Sequence, residues 1–150
     1  LIDFWKEKNT AAVVTAAAQG PDLEDAVLAL METWVDNDVF DARLDLAIRS
    51  WSQADPALKT IVQTNDELRL SAITDMYRRA GRASAESTVA ARNIYFMQMG
   101  YFACEIEEPL HVRLGYLPAY VESYTGKQLS RQKAEDFVIR VTAKIESRAS

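Results

Sequence analysis

Two acid–base pairs at helical spacing are the first residues in this sequence whose types suggest chemistry. Asp45 precedes Arg49 by four residues, and Asp66 precedes Arg69 by three. These spacings place both members of a pair on one face of a helix, where opposite charges attract at the surface. We therefore expect two ion pairs on the outer faces of helices, with ligand binding as the alternative for Asp66 and Arg69. The Asp45–Arg49 pair contributes roughly a few tenths of a kcal/mol at most, and nothing in the sequence requires a catalytic acid–base pair.

Other polar residues interrupt faces that are otherwise apolar. Asn65 falls between Val62 and Leu68 on the inner face of a predicted helix, while Arg92 and Gln98 interrupt the following one. A buried polar group costs about a few kcal/mol unless a partner hydrogen-bonds to it. Each of these residues therefore needs either an internal hydrogen bond or a ligand, and the sequence leaves both interpretations open.

Residue types that build common metal and nucleophile sites are scarce. His111 is the only histidine and Cys104 the only cysteine, so a transition-metal site of the usual composition is not expected. The sequence contains no nucleophile-elbow motif and no glycine-rich phosphate loop. Cys104, next to Phe102 and Ala103, is expected to be buried and unreactive. We predict no catalytic residues, no metal and no cofactor.

Length and composition indicate one helical domain. The 150 residues are 49% hydrophobic and 26% charged, with only five glycines and four prolines, a balance typical of globular proteins rich in helix. The net charge of −5 repels phosphate backbones, so we expect this chain alone to bind nucleic acid poorly. A single cysteine is compatible with a reducing cytoplasm, and no apolar run is long enough to cross a membrane.

Helix-breaking residues divide the chain into a predicted bundle of about six or seven helices, with no strand-like alternation. Gly20 and Gly81 are expected to end helices, and Asp22, Asp55 and Ser84 to begin them. The predicted helices cover residues 2–19, 22 to about 34, about 41–54, 56–80, roughly 85–107, about 117–124 and 130–147. The third is expected to bury Ala47 and Trp51 among others, and the fourth to bury Leu68.

The second half of the fifth predicted helix, residues 94–104, is apolar nearly all round. A helix with no polar face has to be covered on two sides. In a chain of this length, its own core covers one side and a partner subunit is expected to cover the other. Gly100 would allow a neighbouring helix to approach closely.

The order of these features resembles the ligand-binding half of the TetR family of bacterial repressors. The matching features are Ala47-x-x-x-Trp51, Asp55-Pro56, Asp66-x-x-Arg69, Gly81 and the aromatic-rich run at 95–102. Residues 108–126 are also similar to the tail of one branch of that family. The DNA-reading helices of the family have no counterpart here, and the first residues read as the interior of an apolar helix. This predicts a DNA-binding module upstream of Leu1.

The resemblance implies an all-α, homodimeric domain that binds a small, mostly apolar effector, aromatic or acyl in character. TetR-like proteins dimerise through a four-helix bundle. Ligand binding shifts the first helix of the ligand-binding domain, and this changes the distance between the two DNA-binding domains of the dimer. The large apolar and interrupting polar residues on inward faces are the predicted effector contacts: Met31, Trp34, Asn65, Met76, Tyr77, Arg92, Tyr95, Phe96 and Met99. The predicted dimer interface, on the fifth and last helices, comprises Met97, Tyr101, Phe102, Phe137, Val138 and Val141.

Two other functions stay open. The first is a stand-alone helical protein that binds a small molecule or acts as an adaptor without contacting DNA. The second is a helical enzyme, which would need two titratable groups with perturbed pKa values facing one cavity. For most of the buried aromatic residues, ordinary core packing is the competing interpretation.

Overall fold

A computed structural model describes residues 1–149, and within that range it contains helices and no strands. The all-α prediction is therefore confirmed. We number the helices α1 (three contiguous segments, Ile2–Trp5, Lys6–Thr10 and Ala11–Ala17), α2 (Leu23–Val35), α3 (Ala42–Ser52), α4 (Pro56–Arg79), α5 (Ser84–Ala103), α6 (Leu110–Gly115), α7 (Leu117–Thr125) and α8 (Arg131–Ala149).

Aspartate side chains begin three of these helices, and two of them, Asp22 and Asp55, are predicted from the sequence. The carboxylates of Asp22, Asp41 and Asp55 accept hydrogen bonds from backbone N–H groups in the first turns of α2, α3 and α4. These bonds satisfy donors that have no partner within the helix. The prediction that Ser84 caps α5 was wrong, because Ala83 holds the capping position and Ser84 is the first helical residue.

The middle of α1 is a π-helical turn spanning Lys6–Thr10. The N–H of Ala11 donates to the carbonyl of Lys6, five residues back, instead of four as in an α-helix. Such a turn holds one residue more than the α-helical turn it replaces, which changes the side chains that share a face. Asn9 and Thr10, two polar residues of this turn, are both buried.

The chain divides into two compact units. The first, residues 1–105, contains α1–α5, and α4 and α5 are its most extensively paired helices. Its core includes Trp5, Val27, Ile48, Ile73 and Ile94. The second unit begins at residue 106 and contains α6–α8, with Leu117, Val121, Phe137 and Val141 buried.

Several residues predicted to face inward are exposed. Trp51 is 50% exposed, Ala47 lies on the same exposed side of α3, and Leu68 of α4 also faces solvent. On α3 the buried positions are Asp45, Ile48 and Ser52. The buried face is therefore displaced from the one that the apolar spacing predicts, because a carboxylate takes the place of an apolar residue in it.

The apolar half of α5 is only partly covered within the chain. Ile94, Tyr95 and Gln98 are buried, whereas Phe96 is 55% exposed. Cys104 is exposed too, so the prediction that it is buried was wrong.

Candidate functional site

A cluster of polar and charged side chains lies inside the first unit, centred on the carboxylate of Asp45. Its Oδ1 accepts hydrogen bonds from Trp5 Nε1 at 2.7 Å and from an Nη of Arg69 at 2.9 Å. Oδ2 accepts from Arg49 Nε at 2.8 Å, and Asn9 Nδ2 lies 3.4 Å from Oδ1. We call the set Trp5, Asn9, Thr10, Asp45, Arg49, Asp66, Arg69 and Tyr95 the buried polar network.

Arg49 connects the two carboxylates of the network. While its Nε binds Asp45, its two terminal nitrogens donate to the two oxygens of Asp66 at 2.8 and 2.6 Å. This two-pronged geometry is the strongest that a guanidinium and a carboxylate form. The Tyr95 hydroxyl also donates to Asp66 and lies 3.0 Å from an Arg49 nitrogen. Helices α3, α4 and α5 are thereby joined at one point.

Arg69 is the most enclosed charged residue of the network, with no exposed side-chain surface. Its Nε donates to the Thr10 hydroxyl at 3.0 Å, and its terminal nitrogens reach Asp45 and the Tyr95 hydroxyl. The guanidinium carbon lies 5.2 Å from the ring centroid of Trp5 and 5.5 Å from that of Phe40. Aromatic faces stabilise a desolvated cation, so the surroundings of Arg69 offset much of the cost of its burial.

The π-helical turn places α1 on this network. In a regular α-helix, residues five apart point about 140° away from each other. In the π turn, Trp5 and Thr10 both reach the same guanidinium, that of Arg69. Asn9 lies between them in sequence and exchanges two hydrogen bonds of 2.9 Å with the backbone of Asp41, at the start of α3. The turn thus fastens α1 to both α3 and α4.

Electrostatics favour the charged forms of Asp45 and Arg49 and the neutral form of Tyr95. Burial by itself raises the pKa of Asp45, but the charges and hydrogen bonds of Arg69 and Arg49 outweigh it and lower that pKa. Burial likewise lowers the pKa of Arg49, yet Asp66 and Asp45 raise it above its usual value. Burial raises the pKa of Tyr95, so its hydroxyl stays protonated and donates. Two carboxylates and two guanidiniums balance each other, so the network carries no net charge.

The acidic and basic side chains of the network therefore bind one another. Arg49 and Arg69 bind both carboxylates, and Tyr95 donates to one of them. Their polar atoms are occupied by bonds that fix α1, α3, α4 and α5 in position. The arrangement acts chemically as a rigid joint between four helices.

The predicted surface ion pairs were wrong. Asp45 and Arg49 do pair, but Asp45 is buried and the pair belongs to the network. Asp66 and Arg69 do not bind each other, because Asp66 pairs with Arg49 and Arg69 with Asp45. The spacing in the sequence identified four charged residues that form ion pairs, but it did not identify which acid pairs with which base. The pairing depends on contacts between different helices, which spacing within one helix does not report.

The predicted effector contacts differ widely in burial. Trp34, Asn65, Met76, Tyr77 and Tyr95 are buried, Met31 and Met99 are half-buried, and Arg92 and Phe96 are exposed. The Tyr95 ring centroid is 5.8 Å from that of its chain neighbour Phe96, and an Arg49 nitrogen lies 3.8 Å from Met99 Sδ. Asn65 donates to the carbonyl of Ile61, an internal partner. These roles stay predictions.

The predicted interface residues divide between the two units. On α5, Met97, Tyr101 and Phe102 are half-buried, and the Phe102 ring stacks on Phe40 with centroids 5.5 Å apart. On α8, Phe137 and Val141 are buried within the chain. Val138 is half-buried and lines an apolar groove of about 300 Å³, together with Leu114, Leu117, Pro118, Ala134, Glu135 and Ile139.

Sequence reasoning missed Trp5, Asn9, Thr10 and Asp45 as members of one site. A signal was available in α1, where Asn9 and Thr10 interrupt a helix that is otherwise apolar on one side. Two Asp–Arg pairs on separate helices were a second signal. Together they indicate polar groups that satisfy each other inside a core.

No group of three or more His, Cys, Asp or Glu residues among positions 1–149 is placed to hold a metal ion. No helix in the same range combines the length and apolar character needed to cross a membrane. Comparison with family models, curated proteins and solved structures finds no match to this chain.

Proposed function

We propose that this chain is the effector-binding and dimerisation domain of a TetR-like transcriptional regulator. The observation that carries the proposal is the buried polar network, which fastens α1 to α3 and α4 through Trp5, Asn9 and Thr10 and extends to α5 through Tyr95. In a regulator of this kind the first helix passes the ligand signal to the DNA-binding module. A helix held by directional bonds to two others moves together with them, and the bond between Tyr95 and Arg69 extends this connection to α5.

The network also provides a route for coupling. Tyr95 of α5 and Arg69 of α4 touch each other at 3.3 Å, and Arg69 holds Thr10 of α1. A ligand that displaces α5 therefore changes bonds that reach α1. Ligand binding alters DNA affinity only if the ligand favours one arrangement of these helices over the other.

Dimerisation is supported by the uncovered face of α5. Val89 and Phe96 are both more than half exposed, and Met97 and Tyr101 are half-buried. A Cβ added at Gly100 would meet nothing within 4 Å, so that stretch of helix surface is open to a neighbour. We propose that a second copy of the chain covers this face. The contribution of α8, through Val138, is part of the same proposal.

Operator binding would depend on a module outside this chain, because an acidic domain repels DNA. The coding sequence upstream of Leu1 gives the first test. A basic helix-turn-helix segment of about fifty residues supports the regulator. An upstream sequence with no such segment would favour the stand-alone binding protein instead.

The proposal is tested directly by measuring operator affinity of the natural full-length protein with Thr10→Val. Removing the Thr10 hydroxyl breaks the hydrogen bond between Arg69 and α1, so we expect operator affinity to change by about ten-fold. The matched control is Thr60→Val on α4, where the exposed hydroxyl bonds only to the backbone carbonyl of Pro56. Equal affinities for wild type, Thr10→Val and Thr60→Val would refute a transmitting role for α1.

A further inference from the structure

We propose that the apolar groove of the second unit binds a short aliphatic ammonium ion, with the alkyl chain in the groove and the ammonium beside the carboxylate of Glu135. The groove has a volume of about 300 Å³ and is formed by α6, α7 and α8. It lies in a different unit from the predicted effector contacts, which all precede residue 100. The inference therefore goes beyond the regulator proposal and does not depend on it.

The walls of the groove are made of hydrocarbon. The apolar side chains that line it come from all three helices: Leu114, Leu117, Pro118, Ala134, Val138 and Ile139. Pro118 lies in the first turn of α7 and has no backbone N–H to offer a ligand. Ile139 is 68% exposed although its side chain is wholly apolar. A concave apolar surface of this size is typical of small-molecule sites, at the lower end of their range.

Glu135 is the one charged residue among the described residues that line the groove. Its Oε1 accepts a hydrogen bond from Arg131 Nε at 2.7 Å, which shows that a cation fits beside this carboxylate. The Arg131 side chain is 92% exposed, so water screens the pair and its members separate easily. An ammonium group on a ligand can therefore bind the same carboxylate, beside Arg131 or in its place.

Charge and size together define the ligand. An ionised carboxylate only accepts hydrogen bonds, so it attracts a cationic donor and repels another carboxylate. The volume of about 300 Å³ holds on the order of ten non-hydrogen atoms, if each takes the roughly 30 Å³ of a water molecule in the liquid. A chain of about eight carbons that ends in an ammonium group meets both requirements.

Three probes with the same alkyl chain test the ligand class. We would measure the binding of n-octylammonium, n-octanol and n-octanoate to the whole protein by calorimetry, each below its micelle concentration. Octylammonium should bind about five-fold more tightly than octanol, as expected for an ion pair with a half-exposed carboxylate. Octanoate should bind more weakly than octanol. Octylammonium that binds no more tightly than octanol would overturn the inference.

A matched pair of variants tests the role of Glu135. Glu135→Gln keeps the shape of the side chain and removes its charge, so the preference for octylammonium over octanol should fall below about two-fold. The control is Glu146→Gln, which makes the same change in net charge on α8 at a residue that does not line the groove. Equal losses in the two variants would show that octylammonium responds only to the net charge of the protein, and would overturn the inference.

Ile139→Ser tests the position of the alkyl chain. Because Ile139 is exposed, helicity should be retained, and octylammonium and octanol should both bind about three-fold more weakly since both chains lose the same apolar wall. The control is Val89→Ser, which changes an exposed aliphatic residue of α5 in the first unit. Unchanged affinities in Ile139→Ser, or equal losses in Val89→Ser, would place the chain outside the groove and overturn the inference.

Sedimentation of the same variants separates a ligand from a second copy as the occupant, since Val138 also belongs to the proposed dimer contact. If octylammonium occupies the groove, Ile139→Ser should leave the dimer fraction unchanged. If none of the three probes binds and Ile139→Ser lowers the dimer fraction, a second copy fills the groove. That result would overturn the inference and leave the regulator proposal standing.

Discussion

The carboxylate of Asp45 lies 2.9 Å from the guanidinium of Arg69, and both side chains are almost completely removed from solvent. The two residues come from different helices, 24 positions apart. A desolvated ion pair is stable only when its remaining donors and acceptors are also bound. Here Trp5 and Thr10 of α1 and Arg49 of α3 supply bonds of this kind, so the pair depends on three other residues.

Removing one member of this pair should be strongly destabilising. Arg69→Met leaves Asp45 with one guanidinium instead of two and removes the cation that lies near the rings of Trp5 and Phe40. We expect the free energy of unfolding to fall by about 3 kcal/mol, measured by urea denaturation. Arg78→Met is the control, because Arg78 pairs with Asp75 at the surface and its loss should cost less than about 1 kcal/mol. Similar losses for the two variants would contradict the assigned role of Arg69.

Acid should weaken the fold through Asp45. The pKa of Asp45 is lowered in the folded state, so the stability it contributes is present above the unfolded value of about 3.9 and is lost as the pH falls through the folded pKa. In Asp45→Asn this group no longer titrates. Urea unfolding between about pH 5 and pH 2 should therefore show a steeper loss of stability in the wild type than in Asp45→Asn. Parallel pH profiles would mean that Asp45 is not held ionised by its neighbours.

The dimer proposal predicts that charge on the open face of α5 separates the subunits. Phe96→Glu and Tyr101→Glu should each raise the dissociation constant of the dimer at least ten-fold while helicity is retained, as measured by analytical ultracentrifugation and circular dichroism. Trp51→Glu is the control, because Trp51 is also an exposed aromatic residue but lies on α3. Phe102 is a poor choice for this test since its ring stacks on Phe40. A wild-type protein that stays monomeric at high concentration would refute the proposal.

Two glycines that follow helices should differ in their tolerance of alanine. Gly20 and Gly81 both adopt positive φ, 78° and 88°, which costs an L-residue roughly 1–2 kcal/mol. At Gly20 a Cβ would also lie 2.4 Å from Asp25 Cβ, whereas at Gly81 it would meet nothing within 4 Å. Gly20→Ala should therefore lower the melting temperature clearly more than Gly81→Ala. An equal loss would show that the chain at Gly20 relaxes without cost.

The helices of this chain follow from local signals, and the network does not. Asp22, Asp41 and Asp55 begin helices because their side chains bind N–H groups two or three residues away, and Gly81 follows the cap of α4 with a positive φ. Spacing within a single helix reports such short-range effects reliably.

Asp45 shows where this reasoning fails. Its position beside Arg49 is the pattern of an exposed pair, and nothing within α3 distinguishes it from one. Its burial depends on Trp5 and Arg69, respectively 40 residues before it and 24 after it in the chain. Trp51 was predicted to be buried for the same reason, since the spacing on α3 gives no sign that Asp45 occupies the inner face. Contacts with residues distant in the sequence therefore determine both the burial of Asp45 and the exposure of Trp51.

The π turn in α1 has a consequence for how the length of this chain can vary. Because the turn contains one surplus residue, deleting Glu7 would leave Trp5 and Thr10 four apart, the spacing at which an ordinary α-helix already aligns them. A deletion within the π turn keeps Trp5 and Thr10 on one face of α1. A deletion between Ala11 and Ala17 would instead rotate the residues before it, including Thr10, by about 100° relative to the residues after it. The helix therefore has a single site at which evolution or an engineer can remove a residue without realigning what lies on either side.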